Sequence, residues 1–201
     1  MIKLYGTSMS RAGRCLWALE ELGLKFEHVP VGFSETRKPE YLKINPNGHI
    51  PALDDGGTVL WESMAINLYL VEKYGKPPLW PATVEGHAAA YQWSFWGMTE
   101  VEPLLITMLM NRMMLPKEQR NEQAAVTAAE ALKAPLAVLD AHLKGRDYVL
   151  GHDFTVADLN VASIMTLVPM LRIDLSAVPA AQAWLTRCLG RPANAKGREY
   201  K

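Results

Sequence analysis

A serine-containing turn near the start of the chain is the first place where side chains could do chemistry. The turn is Thr7-Ser8-Met9-Ser10-Arg11. A β-type run over residues 2–8 leads into it, and apolar spacing over residues 11–22 predicts a helix after it. A serine at a helix start is usually a cap. The same position places its hydroxyl beside free backbone N–H groups and the positive end of a helix dipole, which stabilise an anion such as a thiolate. Both interpretations are compatible with these residues.

The segment NPNGHIPAL at residues 45–53 is a second candidate for chemistry. Pro51 lies where a strand should begin, so we expect the Ile50–Pro51 peptide bond to be cis. This arrangement turns the main-chain N–H and C=O of Ile50 outward, where they can pair strand-fashion with an extended, peptide-like ligand. The alternative is a turn without a ligand, and the segment considered alone favours it.

The segment LWESMAI at residues 60–66 is the third candidate. Ser63 is expected to cap a helix predicted over residues 63–73. An acidic residue before the cap, together with free amides, also forms a site for a zwitterion, in which Glu62 binds an ammonium and Ser63 a carboxylate. The residues alone do not separate this site from a purely structural cap.

The composition argues against several classes of function. The 21 basic residues balance 21 acidic ones, so no excess of positive charge favours nucleic acid as a partner. Cys15 and Cys188 lack the spacing of a disulfide framework, a zinc site or a dithiol pair, and we expect both to be reduced and buried. The residues that open the sequence lack the layout of a secretory signal, and the longest stretch without charge, 86–99, is too short and polar to span a membrane. We therefore expect a cytoplasmic protein.

The elements that must position these segments differ between the two parts of the chain. The first eighty residues indicate β-α-β, an irregular stretch and then β-β-α, with a hairpin turn at Asp54-Asp55-Gly56-Gly57. Three prolines between residues 77 and 81 exclude a helix interior and mark a boundary. Helical stretches follow at 85–113, 118–144, 155–171 and 177–190. We therefore predict one domain over residues 1–76, a linker over 77–84 and an all-helical domain over 85–201.

The predicted helix over residues 155–171 begins with a strong folding signal. Thr155 is expected to cap it, Asp158 to bond back to the cap, and Phe154 with Leu159 to form a hydrophobic staple. Terminus chemistry explains every residue type here, so we predict a role in stability and none in catalysis.

The order of these segments resembles the cytosolic glutathione transferase family over essentially the whole chain. The resemblance depends on LYGTSMSRAGRCLWALEELGLKFE at 4–27, then NPNGHIPAL, LWESMAI, the proline linker and FTVADLNVA at 154–162. The serine-type theta, delta and phi-like branches look most similar, because theta and delta members have a catalytic serine four residues before an arginine. Ser10 precedes Arg14 by that spacing, and Ser8 and Tyr5 are weaker candidates for the same role.

The resemblance implies a fold and roles for the residues that bind glutathione. The fold is an α+β, thioredoxin-like domain that holds glutathione, followed by an all-α helical bundle that lines a second, apolar pocket. Ser10 would donate a hydrogen bond to the glutathione sulfur, and Ile50 would pair with the cysteinyl unit ahead of cis-Pro51. Glu62 and Ser63 would hold the γ-glutamyl end.

Further assignments concern the glycine end of glutathione and the second substrate. His49 stands where many relatives have glutamine, and Arg37 or Lys38 lies where a basic residue often meets the glycine carboxylate. Candidates for the apolar pocket are Met9, Trp96 and Met108, for which helix core or a subunit contact is the alternative. Omega- and beta-type relatives have a cysteine near the position of Ser10. Here the nearest cysteine is Cys15, so thiol transfer is disfavoured.

The function implied by the resemblance is conjugation of glutathione to a small apolar electrophile, or reduction of hydroperoxides with it. Glutathione is then a co-substrate, with no further cofactor and no metal, and the protein is a homodimer without a nucleic-acid or membrane partner. The alternative is a non-catalytic binding or assembly module on the same fold. The presence of Ser10, Pro51, Glu62 and Ser63 disfavours that alternative, because such modules tend to lose the residues that bind glutathione.

Overall fold

The computed structural model describes residues 1–200, and the chain divides into two compact units. Unit 1 contains residues 1–80 together with 190–200, and unit 2 contains residues 81–189. The predicted order, an α+β part followed by helices, is therefore observed. The difference from the sequence prediction lies in residues 190–200, which pack with the first part of the chain.

A four-stranded sheet is the centre of unit 1. Its strands are β1 (Ile2–Tyr5), β2 (Phe26–Val29), β3 (Ala52–Asp55) and β4 (Thr58–Trp61). They lie in the order β2-β1-β3-β4, with β1 and β2 parallel and the other pairs antiparallel. The tight turn between β3 and β4 is shorter than predicted, because Asp54 and Asp55 belong to β3. Gly56 and Gly57 make it alone, with φ angles of 62° and 100° that favour glycine.

The helices of the first eighty residues are α1 (Ala12–Glu21), α2 (Pro39–Leu42) and α3 (Ser63–Tyr74). Helix α1 is the crossover that two parallel strands require. Its apolar face is buried as the spacing predicts, with Cys15, Leu16 and Leu19 fully enclosed. Helix α2 lies in the stretch for which the sequence predicts no regular element.

Unit 2 is helical throughout. Its helices are α4 (Val84–Trp96), α5 (Glu102–Leu109), α6 (Glu122–Leu143), α7 (Val156–Ile164), α8 (Leu167–Met170) and α9 (Pro179–Leu189). The π-helical turns Gly97–Val101 and Met110–Met114 continue α4 and α5 into the single run predicted over 85–113. The helix predicted over 155–171 is interrupted after Ile164, because Pro169 has no N–H to bond the carbonyl of Met165.

The capping box at the start of α7 is confirmed. Asp158 is fully buried, and one carboxylate oxygen accepts hydrogen bonds from the Thr155 amide at 2.9 Å and the Thr155 hydroxyl at 3.0 Å. The other oxygen accepts from the Val149 amide at 2.7 Å and from Nε1 of Trp184 at 2.8 Å. Burial raises the pKa of Asp158, and these four donors oppose that effect. The box therefore caps the start of α7 and also connects α7 to α9 through Trp184.

A last helix, α10 (Pro192–Gly197), packs along α1 in unit 1. A Cβ at Gly197 would lie 3.0 Å from the Trp17 amide nitrogen, so the two backbones approach closely. Arg191 makes a two-pronged ion pair with Glu21, with nitrogen–oxygen distances of 2.6 and 2.8 Å. Within residues 1–200, no helix combines the length and apolar character needed to cross a membrane.

Candidate functional site

The three segments singled out in the sequence meet at one end of the sheet in unit 1. Tyr5 pairs with Ala52, and Ala52 pairs with Trp61. Because these pairs are antiparallel, the residues after Tyr5, those before Ala52 and those after Trp61 leave the sheet at the same end. The serine turn, the Ile50–Pro51 step and the Glu62–Ser63 step are thereby neighbours. The N-terminal ends of α1 and α3 lie there too.

Ser10 uses its hydroxyl inside the turn that starts α1. Its Oγ donates to the carbonyl of Thr7 at 2.8 Å and accepts from the amide of Ala12 at 3.1 Å. The second bond lies within the turn and is not a cap, because Arg11 occupies the position that precedes α1 and no side chain caps this helix. Ser10 is only partly buried, and the Thr7 carbonyl that accepts its hydroxyl hydrogen also accepts from the Ser10 amide at 3.0 Å.

Two glycines shape this turn, and neither is among the residues predicted from the sequence to form the site. Gly6 has a φ of 134°, and a Cβ there would lie 2.6 Å from Cβ of Ala12. A Cβ on Gly13 would lie 2.4 Å from the carbonyl oxygen of Ser8. Any larger residue would move the turn. A glycine in the first turn of a helix, where its propensity is poor, is the sequence signal that points to such a close approach.

The weaker candidates for the thiol, Ser8 and Tyr5, have other contacts. The Ser8 hydroxyl donates to the main-chain carbonyl of Tyr200. The Tyr5 ring lies edge-on to Tyr41, with 6.5 Å between centroids, in an apolar cluster that includes Ile50. Neither contact excludes these two residues from the thiol, and Ser10 stays the primary prediction.

The Ile50–Pro51 peptide bond is cis, which confirms the prediction. The loop before it is held by two hydrogen bonds to the His49 carbonyl, from the Tyr41 hydroxyl and the Asn45 amide, both 2.7 Å. Burial raises the pKa of Tyr41 to about 12, so its hydroxyl remains a donor at neutral pH. Among residues 1–200 the main-chain N–H and C=O of Ile50 have no hydrogen-bond partner, so they can pair with a ligand.

Glu62, and not Ser63, occupies the position that precedes α3, which corrects the expected cap. Ser63 is the first helical residue, and no side chain caps this helix. Glu62 has a φ of 75°, which an L-residue rarely adopts, and its side chain is exposed. A strained, solvent-facing acid beside uncapped amides is typical of a binding site, since the surrounding structure must hold the strain.

Arg14 lies behind Ser63. It is only 7% exposed, and its Nη1 is 3.4 Å from the Ser63 Oγ. A buried guanidinium at this point adds positive charge to the uncapped end of α3, which favours a carboxylate. Cys15, the next residue, has its Sγ 3.6 Å from the Ser63 carbonyl oxygen. Burial raises the pKa of the Cys15 thiol, so this cysteine acts as a core residue, as expected.

The basic candidates Arg37 and Lys38 follow β2, and their side chains are exposed. The Arg37 Nη1 donates to the Asn47 carbonyl at 3.1 Å, and the Lys38 Nζ is 3.2 Å from Oε1 of Glu35. The His49 side chain is exposed on the same stretch as Asn47. These contacts place Arg37 against the loop that leads into Ile50 and direct Lys38 to an acidic neighbour.

The candidates for the apolar pocket differ in exposure. Met9 lies in the serine turn of unit 1 and is 82% exposed. Trp96 ends α4 in unit 2, partly buried, with its ring edge-on to Trp93 at 4.9 Å. Met108 in α5 is 1% exposed, and this burial favours the alternative that it is a core residue.

Comparison with known proteins agrees with this two-part architecture. Residues 1–72 match the family model "Glutathione S-transferase, N-terminal domain", and residues 102–192 match "Glutathione S-transferase, C-terminal domain". Glutathione S-transferase GstB of Escherichia coli is 31% identical over 198 residues, covering 96% of this chain and 95% of that protein. Glutathione S-transferase 3 of Zea mays is 37% identical over 209 residues, covering 96% and 90%.

Solved structures show the same relationship. A theta class glutathione S-transferase from Xanthomonas axonopodis pv. citri, with glutathione bound, has a TM-score of 0.91 and 30% identity, covering 100% of this chain and 98% of that one. The fold is thus a thioredoxin-like domain followed by a helical domain. The chain belongs to the glutathione S-transferase family and is a glutathione transferase.

Proposed function

We propose that this transferase conjugates glutathione to a small apolar electrophile and that Ser10 activates the thiol. The observation that carries the proposal is the position of the Ser10 hydroxyl. It lies at the start of α1, at the same end of the sheet as the unpaired main chain of Ile50 and the uncapped start of α3. A peptide-like ligand with a thiol in its middle and charges at its ends fits that order.

Each part of glutathione has a proposed partner. The cysteinyl unit pairs with the main chain of Ile50, next to cis-Pro51. The γ-glutamyl ammonium binds Glu62, and its carboxylate binds the hydroxyl and amide of Ser63, in the field of Arg14. The exposed bases Arg37 and Lys38, with His49, serve the glycine carboxylate.

Activation of the thiol requires the Ser10 hydroxyl to turn. In the free protein the Ser10 hydroxyl donates its hydrogen bond to the Thr7 carbonyl. When glutathione binds, the hydroxyl donates to the sulfur instead. Lowering a thiol pKa from ≈ 8.5 by about two units requires roughly 2.7 kcal/mol. A hydrogen bond to a charged group contributes about 1.5–3 kcal/mol and a helix N-terminus about 0.3–1 kcal/mol, so together they suffice.

The chemical step needs no base from the protein. Water takes the thiol proton, and the thiolate attacks an electrophilic carbon to form the carbon–sulfur bond. Either a leaving group departs with its electron pair, or a double bond opens and the carbanion that results takes a proton from water. Trp96 of unit 2 is proposed to contact the electrophile, since an indole presents a soft, polarisable surface. Met108 is a weaker candidate because of its burial.

Titration of the bound thiol tests the proposal. Ultraviolet absorbance of the thiolate is followed against pH with glutathione bound to the wild type and to Ser10→Ala, Ser8→Ala and Tyr5→Phe. We expect a depressed thiol pKa in the wild type and its largest increase in Ser10→Ala. Retention on glutathione-agarose without any depressed pKa or turnover would instead indicate a non-catalytic binding module.

We also infer that the protein is a homodimer. Val84, Tyr91 and Phe95 lie on one face of α4, and they are 77%, 37% and 63% exposed. An apolar stripe of this kind is usually covered, and twofold pairing of identical chains is the commonest way. Light scattering of the wild type should give a molecular mass of about twice 22.4 kDa. The Phe95→Glu variant should give a mass closer to that of the monomer. A monomeric wild type at micromolar concentration would contradict the inference.

The proposed compartment is the cytoplasm. Cys15 and Cys188 are both free and buried, which suits a reducing environment. Fractionation of cells that express the chain should place it with the cytoplasmic proteins. Recovery with membranes or in the medium would contradict this.

A further inference from the structure

The segment that follows α10 contacts the turn that holds Ser10. The Ser8 hydroxyl, two residues before Ser10, donates to the main-chain carbonyl of Tyr200. The two residues are 192 positions apart in the chain, and both lie in unit 1. The contact is separate from every proposed glutathione partner, so the function described above does not account for it.

The Tyr200 side chain is held firmly, which fixes the carbonyl that Ser8 uses. Its hydroxyl donates to Oε1 of Glu20 on α1 at 2.5 Å. Burial, together with the Glu20 carboxylate, raises the pKa of Tyr200 to about 12, so the hydroxyl stays protonated. Its ring packs against Phe26 and His28 of β2, at centroid distances of 5.3 and 5.4 Å.

The turn is restrained on its other sides as well. The Nε2 of His28, whose ring touches Tyr200, is 2.8 Å from the Gly6 carbonyl oxygen at the start of the turn. The Ser8 carbonyl rests against Gly13, where no Cβ could fit. Ser8 is thus held through its carbonyl by α1 and through its hydroxyl by Tyr200.

We propose that Tyr200 is a positioning residue for thiol activation, acting through Ser8 on the turn from which Ser10 reaches the glutathione sulfur. This inference rests on the proposed function of Ser10. A hydrogen bond to a thiolate works only when the donor is held within about 0.5 Å of its productive position. When the Ser8–Tyr200 bond is lost, the turn moves and the Ser10 hydroxyl spends less time on the sulfur.

A double-mutant cycle tests the proposal. Ser8→Ala, Tyr200→Ala and the double variant are compared for the pKa of bound glutathione, kcat and the KM for glutathione. Each single change should raise the bound-thiol pKa and lower kcat about 2- to 10-fold, the scale of one hydrogen bond. The KM should change little, because Ile50, Glu62 and Ser63 are untouched. The double variant should be no worse than the worse single variant, since both changes break one link.

Matched controls separate positioning from a general loss of stability. Lys196→Ala removes a 2.6 Å ion pair between α10 and Glu20 but leaves the bond between Ser8 and the Tyr200 carbonyl in place, and it should keep the wild-type thiol pKa. Ser8→Thr retains a hydroxyl and should restore most of the activity. If thermal unfolding shows that Tyr200→Ala folds poorly, Tyr200→Phe keeps the ring, loses the bond to Glu20 and should give a smaller shift in the same direction.

Two results would overturn the role of Tyr200. One is additivity in the cycle, in which the loss caused by Ser8→Ala adds to the loss caused by Tyr200→Ala, because Ser8 would then act on the sulfur independently of Tyr200. The other is an unchanged bound-thiol pKa in Tyr200→Ala. If Ser10→Ala changes that pKa while the cycle is additive, only the role of Tyr200 is lost. If the wild type shows no depressed pKa, the proposed function of Ser10 and this inference are both wrong.

Discussion

A hydroxyl side chain lies within two residues before the first residue of both α1 and α7, yet the two starts differ in how completely their polar groups are satisfied. At α7 the fully buried Asp158 accepts four hydrogen bonds, two of them from Thr155. At α1 the partly buried Ser10 donates one hydrogen bond to a nearby carbonyl and accepts one from an amide.

The same helix-terminus chemistry therefore serves stability at α7 and is open to a ligand at α1. A carboxylate surrounded by four donors has no capacity left for a ligand, so the start of α7 can only hold the fold together. The Ser10 hydrogen can leave the Thr7 carbonyl for a stronger acceptor at little cost, because that carbonyl still accepts a hydrogen bond from the Ser10 amide at 3.0 Å. The start of α3 is a third case, with a strained Glu62 and no side-chain cap.

The largest effect is expected for Asp158→Ala. The change leaves the amides of Thr155 and Val149 and the indole N–H of Trp184 without a partner in a dry site. Each orphaned donor costs about 1–3 kcal/mol, so we expect a loss of about 3 kcal/mol or more in the free energy of unfolding. Denaturant titration measures it. Folded protein should keep a normal bound-thiol pKa, and an unchanged midpoint with a lost thiolate would place Asp158 in the active site.

The next effect is expected for Ser10→Ala. Conjugation near neutral pH should fall about 10-fold or more, the scale of one charge-assisted hydrogen bond. Because the variant raises the thiol pKa, the deficit should shrink as the pH rises past ≈ 8.5, where free thiols ionise unaided. The pH profile of kcat/KM measures this, with Ser10→Thr as the control that keeps a hydroxyl. Unchanged turnover would refute the mechanism.

Glu62→Gly separates strain from binding at the start of α3. Glycine adopts the φ of 75° freely but loses more entropy on folding, so the stability should change by less than about 1 kcal/mol. Glutathione affinity should fall about 10-fold, because the ammonium loses a charged partner. Scanning calorimetry measures the stability, and titration calorimetry measures the affinity for glutathione. Glu62→Gln keeps the side-chain length without the charge, and unaltered affinity in both variants would show that the ammonium binds elsewhere.

The smallest effect is expected for Thr83→Ala at the start of α4. Thr83 accepts from the Gly86 amide at 3.1 Å in an exposed position, where water can replace the hydroxyl. We expect a loss of about 0.5–1 kcal/mol in the free energy of unfolding. Asn121→Ala, which removes the exposed cap of α6, should match it. A cost equal to that of Asp158→Ala would show that burial does not explain the difference between the helix starts.

The candidate site was largely predictable because its segments are short and carry local signals. The cis bond at Pro51 can be read within a few residues, and so can an acid at the start of α3. The choice of Ser10, by its spacing to Arg14, came from the resemblance to serine-type transferases and stays a prediction. Gly6 and Gly13 were missed, since only the packed turn shows which atoms would meet their Cβ. The expected cap, Ser63, was wrong by one position, because Glu62 precedes α3 with a backbone conformation that its residue type does not predict.

By itself, the sequence determined the features that depend on neighbours within one or two helical turns. These are the apolar face of α1, the capping box of α7 and the glycine turn after β3, where each side chain acts on its own backbone. Only the tertiary structure decided how distant segments meet. The register of Tyr5 with Ala52 and Trp61 assembles the site, and the return of residues 190–200 to α1 brings Tyr200 to Ser8. Those contacts depend on complementary packing and charge across as many as 192 positions, which no local pattern encodes.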